Sequence, residues 1–135
     1  MNAPATAAAI LPAVLNMPTL AEGELYAGLV LGEGAWYHLI LLPAPEPKLA
    51  GWKKQMEWAK EQGGDLPTRR EQSVLYANLH DQFEEEWYWS STPTAGDESW
   101  AWYQYFYYGD QNSLHKSSEL RARAVRRSPS CPEPC

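Results

Sequence analysis

The segment of residues 87–108 constrains the fold of this chain more than any other stretch. It contains ten of the 17 aromatic residues found in 135 positions. A domain of this length forms only a modest core, and so many large rings in one short segment are difficult to bury together. We therefore expect some of these rings to face solvent or a partner, which favours binding over catalysis.

The second half of this segment, residues 100–108, predicts a β-strand because aromatic residues favour extended structure. Alternation of side chains would give the strand two faces, and both are aromatic, so periodicity leaves open which one is buried. We expect Trp102 and Phe106 to point inward, because phenylalanine offers water no polar group. The two faces are Trp102, Gln104, Phe106 and Tyr108, and Ala101, Tyr103, Tyr105 and Tyr107.

Shorter elements are predicted on both sides of this strand. Residues 88–91 indicate a short strand, residues 93–99 a polar turn region, and residues 109–113 a second turn. A final strand is indicated by small or apolar residues that alternate with arginines. The alternating residues are Leu120, Ala122 and Ala124 on the side expected to face the core, and Arg121 and Arg123 on the other.

The first part of the domain predicts a β-hairpin. Residues 25–31 and 36–42 are rich in aliphatic and aromatic side chains. Gly32 and Gly34 lie between them, where a tight turn needs positive φ angles. Prolines within residues 43–47 then end the sheet.

Two helices are predicted after the hairpin. The first covers residues 49–62, where apolar side chains recur at helical spacing. The second begins after Thr68, which is placed as an N-cap with Glu71 completing a capping box. The residues expected on the inward stripes are Trp52, Met56 and Ala59 in the first helix and Val74, Leu75 and Leu79 in the second.

The two ends of the chain are predicted to lie outside a single domain of residues 21–127. Residues 1–20 are rich in alanine and proline and lack the charged start of a signal peptide. They predict either a disordered leader or an extended arm that becomes ordered against another subunit. Residues 128–135 predict a proline-containing tail with free thiols at Cys131 and Cys135. The residues of the arm expected to contact a partner are Ile10, Leu11, Val14 and Leu15.

Charge and hydropathy narrow the classes of partner. The net charge of −6 argues against nucleic acid, because phosphate binding needs a basic surface. No stretch reaches the roughly 20 apolar residues of a membrane span, so membrane insertion is not expected. Residues 81–98 are acidic and residues 116–127 are basic, and we expect these two regions to pair within the fold.

No constellation of residues predicts catalysis. His38, His80 and His115 lie in three separate predicted elements, and no nucleophile or metal-ligand spacing accompanies them. The consecutive carboxylates at residues 84–86 point in different directions and predict a solvated run. We therefore expect a protein that is not an enzyme and that uses no metal or cofactor.

Four motifs occur in order between residues 50 and 127. In this combination the chain resembles the DUF1566 (Lcl C-terminal-like) family. That family is common in phages and prophages, and it is similar to the C-type-lectin-like target proteins of diversity-generating retroelements. The motifs are Gly64-Asp65-Leu66-Pro67-Thr68-Arg69-Arg70-Glu71, Trp89-Ser90-Ser91-Thr92, Ala101-Trp102-Tyr103 to Phe106, and Leu120-Arg121-Ala122-Arg123-Ala124-Val125-Arg126-Arg127.

The resemblance implies an α+β fold. It would be a C-type-lectin-like domain with two helices packed on a twisted, mostly antiparallel sheet, preceded by the N-terminal extended arm. It also implies a phage virion-associated module that recognises a host surface protein or glycan through the segment before the last strand. The implied ligand-binding residues, of types common in adaptable binding surfaces, are Tyr103, Tyr105, Tyr107, Tyr108, Gln111, Asn112, Ser113 and His115.

Two further expectations accompany the resemblance. The calcium motifs of C-type lectins are absent from the sequence, so calcium-dependent sugar binding is not expected. A structural virion protein, such as a capsid decoration or fibre, is the alternative, anchored to another virion protein through residues 1–20. Either protein would be made in the bacterial host cytoplasm and located in the virion. Analogy with phage fibres suggests a homotrimer.

Overall fold

The structure is a computed structural model that describes residues 16–130. In that part of the chain, two helices and six strands form an α+β fold, as predicted. The strands make two antiparallel sheets of three strands each, in the orders β1-β2-β6 and β3-β4-β5, where a single twisted sheet was expected. The elements are β1 (Leu25–Leu31), β2 (Trp36–Leu41), α1 (Trp52–Glu61), α2 (Arg69–Leu79), β3 (Trp87–Thr94), β4 (Asp97–Tyr105), β5 (Gln111–His115) and β6 (Val125–Pro129), with a 3₁₀ turn at His80–Gln82.

The predicted hairpin of β1 and β2 is confirmed, and β6 pairs with the other side of β2. The regular part of β6 begins at Val125, five residues later than predicted. The segment before it nevertheless alternates in burial as expected, with Ala122 and Ala124 inside. This segment crosses from one sheet to the other, because Arg121 bridges to Tyr88 of β3 while Val125 pairs with Leu41 of β2.

Contacts of the described chain extend beyond residues 21 and 127, the predicted limits of the domain. Strand β6 continues to Pro129, which pairs with Tyr37. The backbone N–H of Asn16 donates to the carbonyl oxygen of Ser130 at 2.7 Å, and the Arg126 guanidinium donates to the carbonyl of Thr19 at 3.0 Å. The last residues of the predicted arm therefore lie against the end of the domain. Its predicted contact residues Ile10, Leu11, Val14 and Leu15, and both cysteines, are outside the described residues.

Helix α1 begins at Trp52 and not at residue 49. Ala50 is held in extended structure by an antiparallel bridge to Leu120, so the helix cannot start before it. The predicted stripe also lacks Gln55, which is fully buried and donates from Nε2 to the carbonyl of Leu120 at 2.9 Å.

Helix α2 has the capping box that the sequence predicted. The Glu71 backbone N–H donates to Thr68 Oγ1 at 3.1 Å, and the Thr68 N–H donates to Glu71 Oε1 at 2.9 Å. Leu75 is fully buried as predicted, but Gln72 is buried as well and donates to the carbonyls of Tyr88 and Trp89. Val74 and Leu79 are only partly buried against the core.

The second sheet contributes side chains to two apolar clusters, one on each of its faces. Tyr88 and Phe106 belong to the cluster with β1, β2 and α2, whereas Trp89, Ala101 and Tyr103 belong to the cluster with α1. Burial on both faces explains why the segment is aromatic on both faces. The expectation for Phe106 is confirmed, but Trp102 is only partly buried. The Arg69 guanidinium lies over the Trp102 ring, 3.4 Å from its centroid.

The basic end of the chain pairs with carboxylates other than those of the acidic region. Within the described residues no ion pair joins residues 81–98 to residues 116–127, so that prediction was wrong. The topology explains the difference, because β6 lies beside β2 and near the start of α2. The ion pairs of the three arginines are Arg121–Glu46, Arg126–Glu24, Arg127–Asp65 and Arg127–Glu71.

Candidate binding surface

The eight predicted ligand-binding residues lie on two different faces of the second sheet. In the β4–β5 ladder Gln104 pairs with Gln111 and Tyr103 with Asn112, so neighbouring positions point to opposite sides. The face of Tyr105 also carries Trp87, its partner in β3. The predicted residues on this side are Tyr103, Tyr105 and Asn112, and those on the other side are Gln111, Ser113 and His115.

The turn after β4 brings Tyr107 and Tyr108 out to solvent. Strand β4 ends at Tyr105, three residues earlier than predicted, and residues 111–113 lie in β5 instead of a turn. The Gly109 N–H donates to the carbonyl of Tyr105 at 2.7 Å and closes a tight turn. Within that turn Phe106 is buried against Phe83 with the ring centroids 4.0 Å apart. Because Phe106 fills the core, the two residues that follow it are exposed, Tyr107 at 48% and Tyr108 at 72%.

Four rings form a continuous surface, here called the tyrosine patch and made of Trp87, Tyr105, Tyr107 and Tyr108. The ring centroids of Trp87 and Tyr105 are 5.9 Å apart, those of Tyr105 and Tyr108 5.6 Å, and those of Tyr107 and Tyr108 4.6 Å. From below, Tyr103 stacks on Trp87 at 4.7 Å and is only 8% exposed. Tyr103 was expected to be displayed, but it supports the patch and offers little surface to a ligand.

A groove of about 540 Å³ begins at Trp87 and extends the patch; we call it the Trp87 groove. Its apolar lining includes Leu49, whose side chain is 55% exposed. Seven large apolar or aromatic residues are exposed in the described chain, and Leu49, Trp87, Tyr107 and Tyr108 are four of them. This concentration on one side distinguishes the surface from the scattered apolar residues of an ordinary protein exterior. The groove is lined by Leu49, Glu86, Trp87, Glu119, Leu120 and Arg121.

Negative charge surrounds these rings. The side chains of Glu86, Asp110 and Glu119 are exposed, and none of them makes an ion pair within residues 16–130. Arg121 is the cation of the groove, but its Nη1 is held at 2.9 Å by Glu46 Oε1. Loss of water raises the pKa of Tyr105, and the nearby Tyr108, Glu86, Tyr107 and Asp110 raise it further. Glu86 and Asp110 therefore lie close enough to Tyr105 to affect its charge.

The opposite face of the sheet has a structural network in place of an open patch. Gln111 donates from Nε2 to Gln104 Oε1 at 2.9 Å and accepts at Oε1 from Arg69 Nε at 3.0 Å. These bonds tie α2 to the sheet and leave the Gln111 amide little capacity for a ligand. His115 lies beside Trp100 on this face, with the ring centroids 6.1 Å apart.

Sequence reasoning missed Trp87, Leu49, Glu86 and Glu119 as parts of the surface. Trp87 could have been suspected, since it opens the aromatic segment directly after an acidic run. Nothing in the sequence around Leu49 or Glu119 indicates that the two residues are close together. The bridge between Ala50 and Leu120 brings these two parts of the chain side by side.

The described residues hold neither an open site at His38 nor a metal cluster. His38 is fully buried in β2 with Nδ1 2.7 Å from the Tyr26 hydroxyl, which gives it a packed environment. Between residues 16 and 130, no group of three or more histidine, cysteine, aspartate or glutamate side chains could hold a metal ion. Over the same range, no helix is long and apolar enough to cross a membrane.

Comparison of the chain with family models, curated proteins and solved structures found no match.

Proposed function

We propose that this chain is a phage virion-associated binding module that recognises its ligand through the tyrosine patch and the Trp87 groove. The observation that carries the proposal is the continuous exposed surface of Leu49, Trp87, Tyr107 and Tyr108. Aromatic side chains are the commonest anchors of protein recognition, because they bury large area at low entropic cost. The ligand would be a protein or glycan of the host surface.

The same proposal includes a C-type-lectin-like fold. The four sequence motifs support a C-type-lectin-like domain of the DUF1566 type. Two helices and mostly antiparallel strands are in keeping with such a domain. The protein would be made in the bacterial host cytoplasm, incorporated into the virion and assembled as a homotrimer.

The first test compares attachment of purified protein to host cells before and after removal of two rings. We expect Tyr107→Ala combined with Tyr108→Ala to weaken attachment about 30-fold or more, since one hot-spot aromatic contributes about 2 kcal/mol. The free energy of unfolding should stay within about 0.5 kcal/mol, because both side chains are exposed. Trp100→Ala is the matched control, as it removes an exposed ring from the opposite face. Unchanged attachment of the double variant would refute the proposal.

The alternative is a structural virion protein that uses residues 1–20 as an anchor. It is favoured by the exposed apolar side chains of Met17 and Leu20, which leave apolar surface where the arm joins the domain. The two functions are separated by comparing the full chain with a chain that lacks residues 1–15. The shortened chain keeps the contacts of Asn16 and Thr19 with the domain. Loss of this chain from purified particles, with attachment of the free protein intact, assigns anchoring to the arm and recognition to the patch.

A further inference from the structure

We propose that the partner segment bound by the tyrosine patch and the Trp87 groove is basic: a stretch of a host surface protein in which a lysine or arginine adjoins an apolar residue. This inference rests on the proposed function, and it adds the chemical class of the ligand. Three features of the surface support a basic partner: its charge, the distribution of cations over the aromatic rings, and the apolar lining of the groove.

The charges of the groove favour a cation. Its lining includes Glu86 and Glu119, neither of which has an ion-pair partner among the described residues. Arg121 could balance one of them, but Glu46 already engages its guanidinium, and that hydrogen bond raises the pKa of Arg121. A third carboxylate, Asp110, lies next to Gly109 at the end of the patch. An incoming phosphate or carboxylate would be repelled here, whereas an ammonium or guanidinium group would be attracted.

The aromatic rings add to the same preference. The face of an aromatic ring is the negative part of its quadrupole and attracts a cation within about 6 Å. In the described chain three rings already have such a partner. These pairs are Arg69 over Trp102 at 3.4 Å, Lys116 over Trp52 at 4.2 Å and Arg123 over Phe83 at 5.0 Å.

The tyrosine patch differs from those three rings. Within the described residues, no cation of the chain lies over Trp87, Tyr105, Tyr107 or Tyr108. The patch is also the most exposed of these aromatic sites, with Tyr108 at 72%. The ring faces of the patch are therefore open to a cation supplied by a partner. The carboxylates on either side would accept hydrogen bonds from that cation.

The apolar part of the groove indicates a protein segment in preference to a small cation. Leu49 and Leu120 lie in the same lining as the carboxylates, and the groove joins the patch through Trp87. A small ammonium compound would leave Leu49 in water. A peptide can place an apolar side chain against Leu49 and a basic side chain over the tyrosines at the same time.

The experiment uses the full-length protein and a fluorescent peptide, Gly-Lys-Leu-Gly-Lys-Leu-Gly, with binding followed by fluorescence anisotropy. Acetylation of its two lysines removes the charge and keeps the length, and we expect it to raise the Kd at least tenfold. Glu86→Gln and Glu119→Gln should each raise the Kd three- to tenfold. Glu98→Gln is the matched control, because Glu98 is an exposed carboxylate of β4 outside the groove and should leave the Kd unchanged. Raising the salt concentration from 50 to 500 mM should weaken binding of the lysine peptide only.

The same variants in the host-attachment assay separate the inference from the proposed function. Attachment that needs Tyr107 and Tyr108 but is unchanged by Glu86→Gln with Glu119→Gln would overturn the basic ligand and leave the binding module intact. Equal binding of the acetylated and lysine peptides would also overturn the basic ligand and leave the binding module intact. Attachment that needs none of these residues would overturn both. Urea unfolding of each variant confirms that the loss of binding is not a loss of fold.

Discussion

At the scale of single residues, Gly109 controls where the tyrosine patch lies. Its φ angle is +85°, in the left-handed region that residues with a Cβ avoid. A Cβ at this position would also lie 2.6 Å from Cε2 of Tyr76. Both constraints require glycine where the chain turns from Tyr108 into β5.

We predict that Gly109→Ala lowers the free energy of unfolding by about 2–4 kcal/mol, because backbone strain and a steric clash add together. Urea denaturation measures this change. Gly96→Ala is the matched control: its φ angle is +83°, but no atom of residues 16–130 lies within 4 Å of the added Cβ. It should cost only about 1–2 kcal/mol. Equal losses in the two variants would show that the contact with Tyr76 has no effect.

At the scale of elements, one buried carboxylate links α2 to strands β2 and β6. Glu71 is fully buried and accepts from Arg127 Nε at 2.6 Å and from Arg127 Nη2 at 2.8 Å. It also accepts from the Tyr37 hydroxyl of β2 and from the N-cap N–H of Thr68. Burial alone would raise the pKa of Glu71, but these hydrogen bonds lower it below its ordinary value of 4.5. The carboxylate is therefore ionised in the folded protein at neutral pH.

We predict that Glu71→Gln destabilises the domain by about 3 kcal/mol at pH 7, because removing one partner of a buried ion pair leaves the others without compensation. Glu57→Gln, on the exposed side of α1, should change stability by less than about 0.5 kcal/mol. Both values come from urea unfolding monitored by far-UV circular dichroism. A loss below about 1 kcal/mol for Glu71→Gln would contradict this account of α2.

At the scale of the whole molecule, strand β6 closes the domain through ion pairs with earlier parts of the chain. Hydrogen bonding to Arg126 lowers the pKa of Glu24 below 4.5. Burial would raise the pKa of Asp65, but hydrogen bonds from Lys60 and Arg127 lower it below 3.8. With Glu71, three carboxylates are thus more acidic in the folded chain than in the unfolded one.

We predict that the domain loses stability as the pH falls below about 4.5. The pKa values of Glu24, Asp65 and Glu71 are lower in the folded chain than in the unfolded one, so the unfolded chain binds protons first as the pH falls. The stabilisation from these ionised groups is therefore present above about pH 4.5 and is lost as the folded groups become protonated. Urea midpoints between pH 7 and pH 3 measure the loss. The difference between the natural chain and Glu71→Gln should shrink over the same interval, and a difference independent of pH would contradict the prediction.

Local signals predicted most of the secondary structure. Gly32 and Gly34 indicate the hairpin turn, and the capping box of Thr68 and Glu71 indicates the start of α2. Both signals depend only on a few adjacent residues. The predictions misplace the starts of α1 and β6 and the end of β4, and they give a turn where β5 lies. For α1 and β4 a distant partner decides the boundary: Leu120 holds Ala50 extended, and the core around Phe83 takes in Phe106.

Composition and periodicity predicted two helices among several strands, and more aromatic surface than a core of this size can bury. They express how much apolar area each segment must bury, whereas the α+β domain as a whole was implied by the resemblance. Which rings are exposed together depends on the tertiary structure. Strand pairing divided the predicted site between two faces, buried Tyr103, and placed Trp87 between Tyr105 and the Trp87 groove. Side-chain direction follows from the register between strands, and register is set by contacts between residues far apart in the chain.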